Sequence, residues 1–131
     1  MPSAIKHIVV ADDDQDDVQL FKEAIVDTCP DINLRVATDG AKLLSLIEDA
    51  PKPDVILLDL NMPCKSGREC LEEIRAKEDF QDVSVVILST SSQQKEIDDC
   101  LKIGANHYFV KPQSYEGMKK IAQTICTGTF K

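Results

Sequence analysis

Two kinds of apolar pattern alternate along the chain. Short unbroken runs such as Ile8-Val9-Val10-Ala11, Val55-Ile56-Leu57-Leu58 and Val85-Val86-Ile87-Leu88 have the length and β-branched content of strands buried on both faces. Between them, apolar residues recur at helical spacing: Val18, Phe21, Ala24 and Ile25; Leu43, Leu44 and Ile47; Cys70, Leu71 and Ile74; Ile97, Cys100 and Leu101; Tyr115, Met118, Ile121, Ala122 and Ile125. The pattern predicts strands over Ile5 to Ala11, Asn33 to Ala37, Asp54 to Asp59, Val83 to Leu88 and Ala105 to Val110, each followed by a helix. The second strand reads as the more exposed one, because Leu34 and Val36 alternate with Asn33 and Arg35.

Breakers fall where this reading needs them. Cys29-Pro30-Asp31 and Ala50-Pro51-Lys52-Pro53 stop the first two helices, Thr38-Asp39-Gly40 makes a turn, and Gly104 is placed to cap the fourth helix. Five strand-helix alternations without a repeat or linker predict a doubly wound α/β domain with a parallel sheet. In such sheets the functional crevice lies beyond the carboxyl ends of the strands. The residues at those ends are Asp12 and Asp13, Asp59, Ser89 and Lys111.

Composition narrows the possibilities. A length of 131 residues, with 43% hydrophobic and 29% charged residues, fits one globular domain and leaves no room for a second. A formal net charge of -8, with no basic run to offset it, would repel a phosphate backbone, so direct nucleic-acid binding is not expected. The first residues lack the pattern of a signal peptide, and no apolar run approaches the roughly 18 residues of a membrane span. These features place the protein in the cytoplasm, without membrane insertion. The 5 cysteines (Cys29, Cys64, Cys70, Cys100 and Cys126) are odd in number and contain no C-x-x-C pair, which argues against a disulfide framework or a zinc site. Most are expected to be small buried hydrophobes, with Cys64 exposed in the loop after Pro63.

Singly, each strand-end residue has a plain role. Asp59 suits a turn, Asp12 and Asp13 suit helix N-caps, Ser89 a loop hydroxyl and Lys111 a solvated cation, while Asp14, Asp16 and Asp17 read as solvated acids of a first helical turn. Their convergence on one edge changes the picture. Carboxylates about 4 Å apart at an effective dielectric near 20 repel by on the order of 4 kcal/mol per pair, so the group needs a counter-ion. Hard oxygen ligands without histidine or cysteine suit Mg²⁺, and a neighbouring lysine and hydroxyl suit a phosphoryl group.

These residues carry a family resemblance. The acidic pair Asp12-Asp13, the segment Asp59-x-Asn61-Met62-Pro63 with Gly67 beyond it, Ser89 after Val85-Val86-Ile87-Leu88, and Lys111-Pro112 after Tyr108 resemble the receiver domain of bacterial response regulators, the phospho-acceptor module of two-component signalling. The resemblance spans nearly the whole chain and implies a flavodoxin-like sheet of order 2-1-3-4-5 with five helices. It makes Asp59 the phosphoacceptor, with Mg²⁺ held by Asp12, Asp13, Asp59 and the backbone carbonyl of Asn61. Ser89 and Lys111 would contact the phosphoryl group, and Ser89 and Tyr108 would form the switch that repacks the face of helix 4, strand 5 and helix 5.

The implied donor is a sensor histidine kinase or phosphotransfer protein, and the output is contact with a downstream protein. The domain would catalyse only its own phosphorylation and slow dephosphorylation. Only Thr127 to Lys131 follow the last helix, so no output domain is expected. Two departures stand out: Ser89 replaces the family's usual switch threonine, and the bulkier Thr90 follows it where Ala or Gly is common, which leaves the rates of phosphorylation and loss open. Two other readings remain: a haloacid-dehalogenase-like phosphatase, whose nucleophile motif Asp12-x-Asp14 superficially matches, and a receiver-like binding module that is never phosphorylated.

Overall fold

The computed structural model describes residues 5–49, 51–62 and 65–128. Five strands, β1 (His7–Ala11), β2 (Asn33–Ala37), β3 (Val55–Leu58), β4 (Ser84–Ser89) and β5 (His107–Val110), alternate with five helices. The helices are α1 (Gln15–Thr28), α2 (Gly40–Ile47), α3 (Gly67–Ala76), α4 (Gln94–Ile103) and α5 (Tyr115–Thr127). The strands form one sheet in the order β2-β1-β3-β4-β5, with every neighbouring pair parallel. The expected fold is therefore present, and the expected strand bounds differ by no more than two residues at any end.

Alternation along the strands divides the core into two layers. Val9, Ala11, Ile56, Leu58, Val85 and Ile87 pack with Leu43, Ile47, Leu71 and Ile74 on one side of the sheet. Ile8, Val10, Val55, Leu57, Val86 and Leu88 pack with Phe21, Ile25, Met118 and Ile125 on the other. β3 and β4 are buried throughout, which is why their sequences are continuous apolar runs. β2 is an edge strand whose Leu34 and Val36 are only half-buried, as their alternation with polar neighbours implies.

Side-chain caps set most helix starts. Asp14 begins α1 by accepting from the backbone N–H groups of Asp16 and Asp17, Asp39 begins α2, Ser114 begins α5, and Ser66 with Glu69 forms a capping box on α3. Gly104 ends α4 at a φ of 131°, a conformation that disfavours any side chain. α4 itself is held thinly: only Cys100 is buried, and Leu101, expected on the apolar side, is 44% exposed. A 3-10 turn at Glu78–Phe80, unmarked in the apolar pattern, buries Phe80 between α3 and β4.

The cysteines depart from expectation. Cys70 and Cys100 are buried free thiols, as expected of small hydrophobes, and burial pushes the Cys70 thiol up to about 11, which makes it unreactive. Cys29 and Cys126, however, are joined in a disulfide with Cα atoms 6.6 Å apart. Cys29 is the C-cap of α1 and Cys126 lies in the last turn of α5, so the parallel packing of these two helices brings together residues separated by 97 in sequence. A one-dimensional reading has no access to that proximity. Cys64 and Pro63 lie outside the described residues.

A cross-link closing a loop of this length removes much entropy from the unfolded chain, up to about 4 to 5 kcal/mol in the loop-closure account. The urea midpoint of the oxidised protein is therefore expected to fall on adding a thiol reductant, and Cys29→Ser to reproduce that fall without reductant. Equal midpoints in all three samples would refute the cross-link.

Candidate functional site

The register of the sheet builds the site. Ala11 pairs with Leu58, so the next residues, Asp12 and Asp59, emerge side by side from the two central strands. Backbone bonds continue past the strand ends: Asp12 N–H donates to the Ala37 carbonyl at 3.0 Å, and Asp59 N–H donates to the Ala11 carbonyl at 2.9 Å. Both carboxylates are thus fixed at their Cα atoms, and both residues are buried, at 4% and 5% exposure. Asp13 is exposed. Carboxylate oxygens of Asp12, Asp13 and Asp59 all lie within 4.8 Å of one another, a spacing that one cation can bridge.

Gly67 fixes the approach to Asp59 from α3. Its N–H donates to the Leu60 carbonyl at 3.0 Å, and an added Cβ would strike the Asp59 carbonyl oxygen and come within 2.7 Å of Leu60 Cα. Only glycine lets the start of α3 sit this close to the strand end. The loop between them also brings the Asn61 N–H to Asp59 Oδ1, at 3.4 Å.

From the other half of the sheet come Ser89 and Lys111. Lys111 N–H donates to the Ser89 carbonyl at 2.7 Å, which ties the loop after β5 to the end of β4. The Lys111 side chain is only 9% exposed, and its ammonium lies 2.8 Å from Asp17, 3.1 Å from Asp12 and 3.5 Å from Asp59. It is an internal counter-ion of these carboxylates, and not the solvated cation that it resembles when read alone. Ser89 is fully buried, and its Oγ accepts from the Ser91 N–H at 3.2 Å. Tyr108 is half-buried and donates its hydroxyl to the Ser91 carbonyl at 2.8 Å, so both residues of the expected switch hold the same short loop. Thr90 is exposed beside them.

Charge is unevenly balanced in this pocket. The Asp59 carboxyl is raised from 3.8 to about 6, first by burial and then by the Asp12 charge, against the opposing pull of Lys111 and the Asn61 N–H. Burial acts to lower the Lys111 ammonium, but its hydrogen bond to Asp17 and the charges of Asp12 and Asp59 outweigh burial and raise it.

The structure also adds a residue and demotes one. Asp17, expected to be a solvated acid, is half-buried and makes the shortest of the three Lys111 contacts. Asp17, Phe21, Ala24 and Ile25 fall at helical spacing, so Asp17 is the polar head of the buried stripe of α1; that periodicity was the available signal. Asp14 instead spends its carboxylate on capping α1, while its own N–H donates to Asp12 Oδ1 at 2.9 Å.

The response regulator receiver domain family matches residues 8–123, nearly the whole of the described chain. The chain belongs to this family. Relatives of the receiver include response regulator Rcp1 from Synechocystis sp., 31% identical over 126 residues, covering 92% of this chain and 86% of that protein. Among solved structures, the Mn(2+)-bound form of Rcp1 superposes with a TM-score of 0.83 at 31% identity, over 92% of this chain and 91% of that one. The phosphorylated cyanobacterial phytochrome response regulator RcpA gives a TM-score of 0.86 at 30% identity, over 93% and 91%. No helix among the described residues is long and apolar enough to cross a membrane.

The raised Asp59 carboxyl has a consequence for the metal-free receiver. Between its ordinary 3.8 and about 6, the folded chain holds a proton at Asp59 that the unfolded chain has released. Stability from this group is therefore greatest at low pH and is lost as pH rises through about 6. Asp59→Asn, which keeps the shape and removes the charge, is expected to stabilise the metal-free protein at about pH 8 by on the order of 2 kcal/mol. Denaturant melts at stepped pH would show the gap closing towards about pH 4, and a gap that widens on acidification contradicts the assignment.

Proposed function

We propose that this receiver accepts a phosphoryl group on Asp59 from the phosphohistidine of a sensor kinase or phosphotransfer protein, with Mg²⁺, and passes the signal by contact with a downstream protein. The observation that carries the reading is the meeting of Asp12, Asp13 and Asp59 within 4.8 Å, with the Lys111 ammonium 3.5 Å from Asp59. The phosphorylated state of RcpA and the Mn(2+) ion in Rcp1 support it by similarity.

The donor set fits a hard divalent cation. Asp12, Asp13 and Asp59 would supply carboxylate oxygens and the Asn61 carbonyl would complete the protein ligands, and among the described residues no nitrogen or sulfur ligand belongs to the cluster. A bound cation would neutralise carboxylate charge and that of the transferred phosphoryl oxygens. The remaining work falls to the chain. One Asp59 oxygen attacks phosphorus as the P–N bond to the donor imidazole breaks, and the imidazole leaves with that electron pair and is protonated. Lys111, already pointed at Asp59 Oδ2, pairs with a phosphoryl oxygen, and the Ser89 hydroxyl, which accepts from the Ser91 N–H, has its own proton to donate to another.

Any shift of Ser89 towards the phosphoryl group would pull on the loop that Tyr108 also holds, which would couple the site to α4, β5 and α5. The domain turns over no substrate beyond its own phosphoryl group. Its net charge of -8 favours partners with basic patches.

Acetyl phosphate with Mg²⁺ is expected to add one phosphoryl group per chain by intact mass, and chelator or Asp59→Asn to abolish the addition. Labelling that survives Asp59→Asn would place the acceptor elsewhere, and no labelling of the wild type would favour a binding module that is never phosphorylated. Lys111→Ala should keep its circular dichroism spectrum while labelling about 10- to 100-fold more slowly; a collapsed fold would show that the lysine is primarily structural.

A further inference from the structure

The residue that holds Lys111 most closely lies outside the carboxylate group suited to the cation. Lys111 Nζ is 2.8 Å from Asp17, 3.1 Å from Asp12 and 3.5 Å from Asp59, but only Asp12 and Asp59 also belong to that carboxylate group. Two cations therefore compete for the same two carboxylates. A divalent ion arriving between Asp12, Asp13 and Asp59 weakens their hold on the lysine and repels its ammonium at close range. Something must keep the lysine at the site.

Asp17 is built for that task. It is the third residue of α1, and its backbone N–H is bound by the Asp14 cap at 3.2 Å, which fixes where its side chain leaves the helix. Below it the same stripe of α1 is closed by Phe21, Ala24 and Ile25, all buried, so the carboxylate sits on a rigid base. A carboxylate in the first turn also suits the helix dipole.

We propose that Asp17 is a positioning residue, an anionic berth that holds Lys111 in the site when a divalent cation occupies Asp12, Asp13 and Asp59. The inference rests on the phosphoacceptor reading for its purpose. Asp17 touches neither the phosphoryl group nor the metal. It takes up the lysine's charge so that metal and lysine need not displace one another, and the two can face the phosphoryl group together. Without it, Lys111 leans on Asp12 and Asp59 alone and becomes a competitor of the metal.

The test is a Mg²⁺ titration of the full chain by calorimetry, run on wild type, Asp17→Asn, Lys111→Ala and the double variant. Asp17→Asn is expected to weaken Mg²⁺ binding by about 3- to 10-fold when Lys111 is present and by less than about twofold in the Lys111→Ala background. Asp17→Glu is expected to restore most of the affinity. Equal losses in both backgrounds would mean that Asp17 acts on the metal through its own charge, and no loss in either would mean that it does not position the lysine; each outcome overturns the proposal. Acetyl phosphate labelling of the same samples keeps the two readings apart. A wild type that binds Mg²⁺ with the expected pattern but takes no phosphoryl group would defeat the phosphoacceptor reading and leave the role of Asp17 standing.

Discussion

Everything at the site depends on packing like charges together at the ends of β1 and β3. The strand register leaves Asp12 and Asp59 no choice of position, because their backbones are already bonded into the sheet. At an effective dielectric near 20, two carboxylates at about 4 Å repel by on the order of 4 kcal/mol, and burial adds to that. Lys111 is the counterweight, yet the Asp59 carboxyl remains raised to about 6, first by burial and then by the Asp12 charge. Three carboxylates, of Asp12, Asp17 and Asp59, share this one ammonium, so the pocket is left short of positive charge. The proposed binding of a divalent ion and a phosphoryl group would make use of such a deficit.

The rest of the fold is packed tightly beneath the charges and thinly at α4. β3 and β4 are buried along their whole lengths between two apolar layers, so Asp59 and Ser89 stand on the least deformable part of the molecule. α4 is the opposite case. It buries one residue, has no side-chain N-cap bond and follows the loop held by Ser89 and Tyr108. Few buried contacts mean a low free energy of local opening. A change at Ser89 would therefore act on a thinly held helix.

The hydrophobic pattern revealed the sheet, its helices and the edge on which the site lies, because strands buried on both faces and amphipathic helices write different periods into sequence. Asp12, Asp13, Asp59, Ser89 and Lys111 were readable as strand-end residues for the same reason. What escaped depended on facts that periodicity does not carry. The Cys29 and Cys126 pairing requires two parallel helix ends to meet across 97 residues. Leu101 reads as core by spacing alone, but the shallow seating of α4 leaves it 44% exposed. Asp17 looked like one more acid in an acidic turn, and its distinction lies in a lysine 94 residues away.

That lysine also explains why the charges couple distant parts of the sheet. β5 is an edge strand, and three strand spacings of about 4.8 Å separate it from β1, well beyond the reach of any side chain lying across the sheet. Lys111 reaches Asp12 and Asp17 only because the loop after β5 turns inwards over the strand ends, fixed by its backbone bond to Ser89. The ion pairs consequently tie the edge strand to the first turn of α1 over the top of Asp59. A change in the charge on Asp59 would alter the balance of forces on Lys111, which is bonded to the first turn of α1 through Asp17 and follows directly on β5.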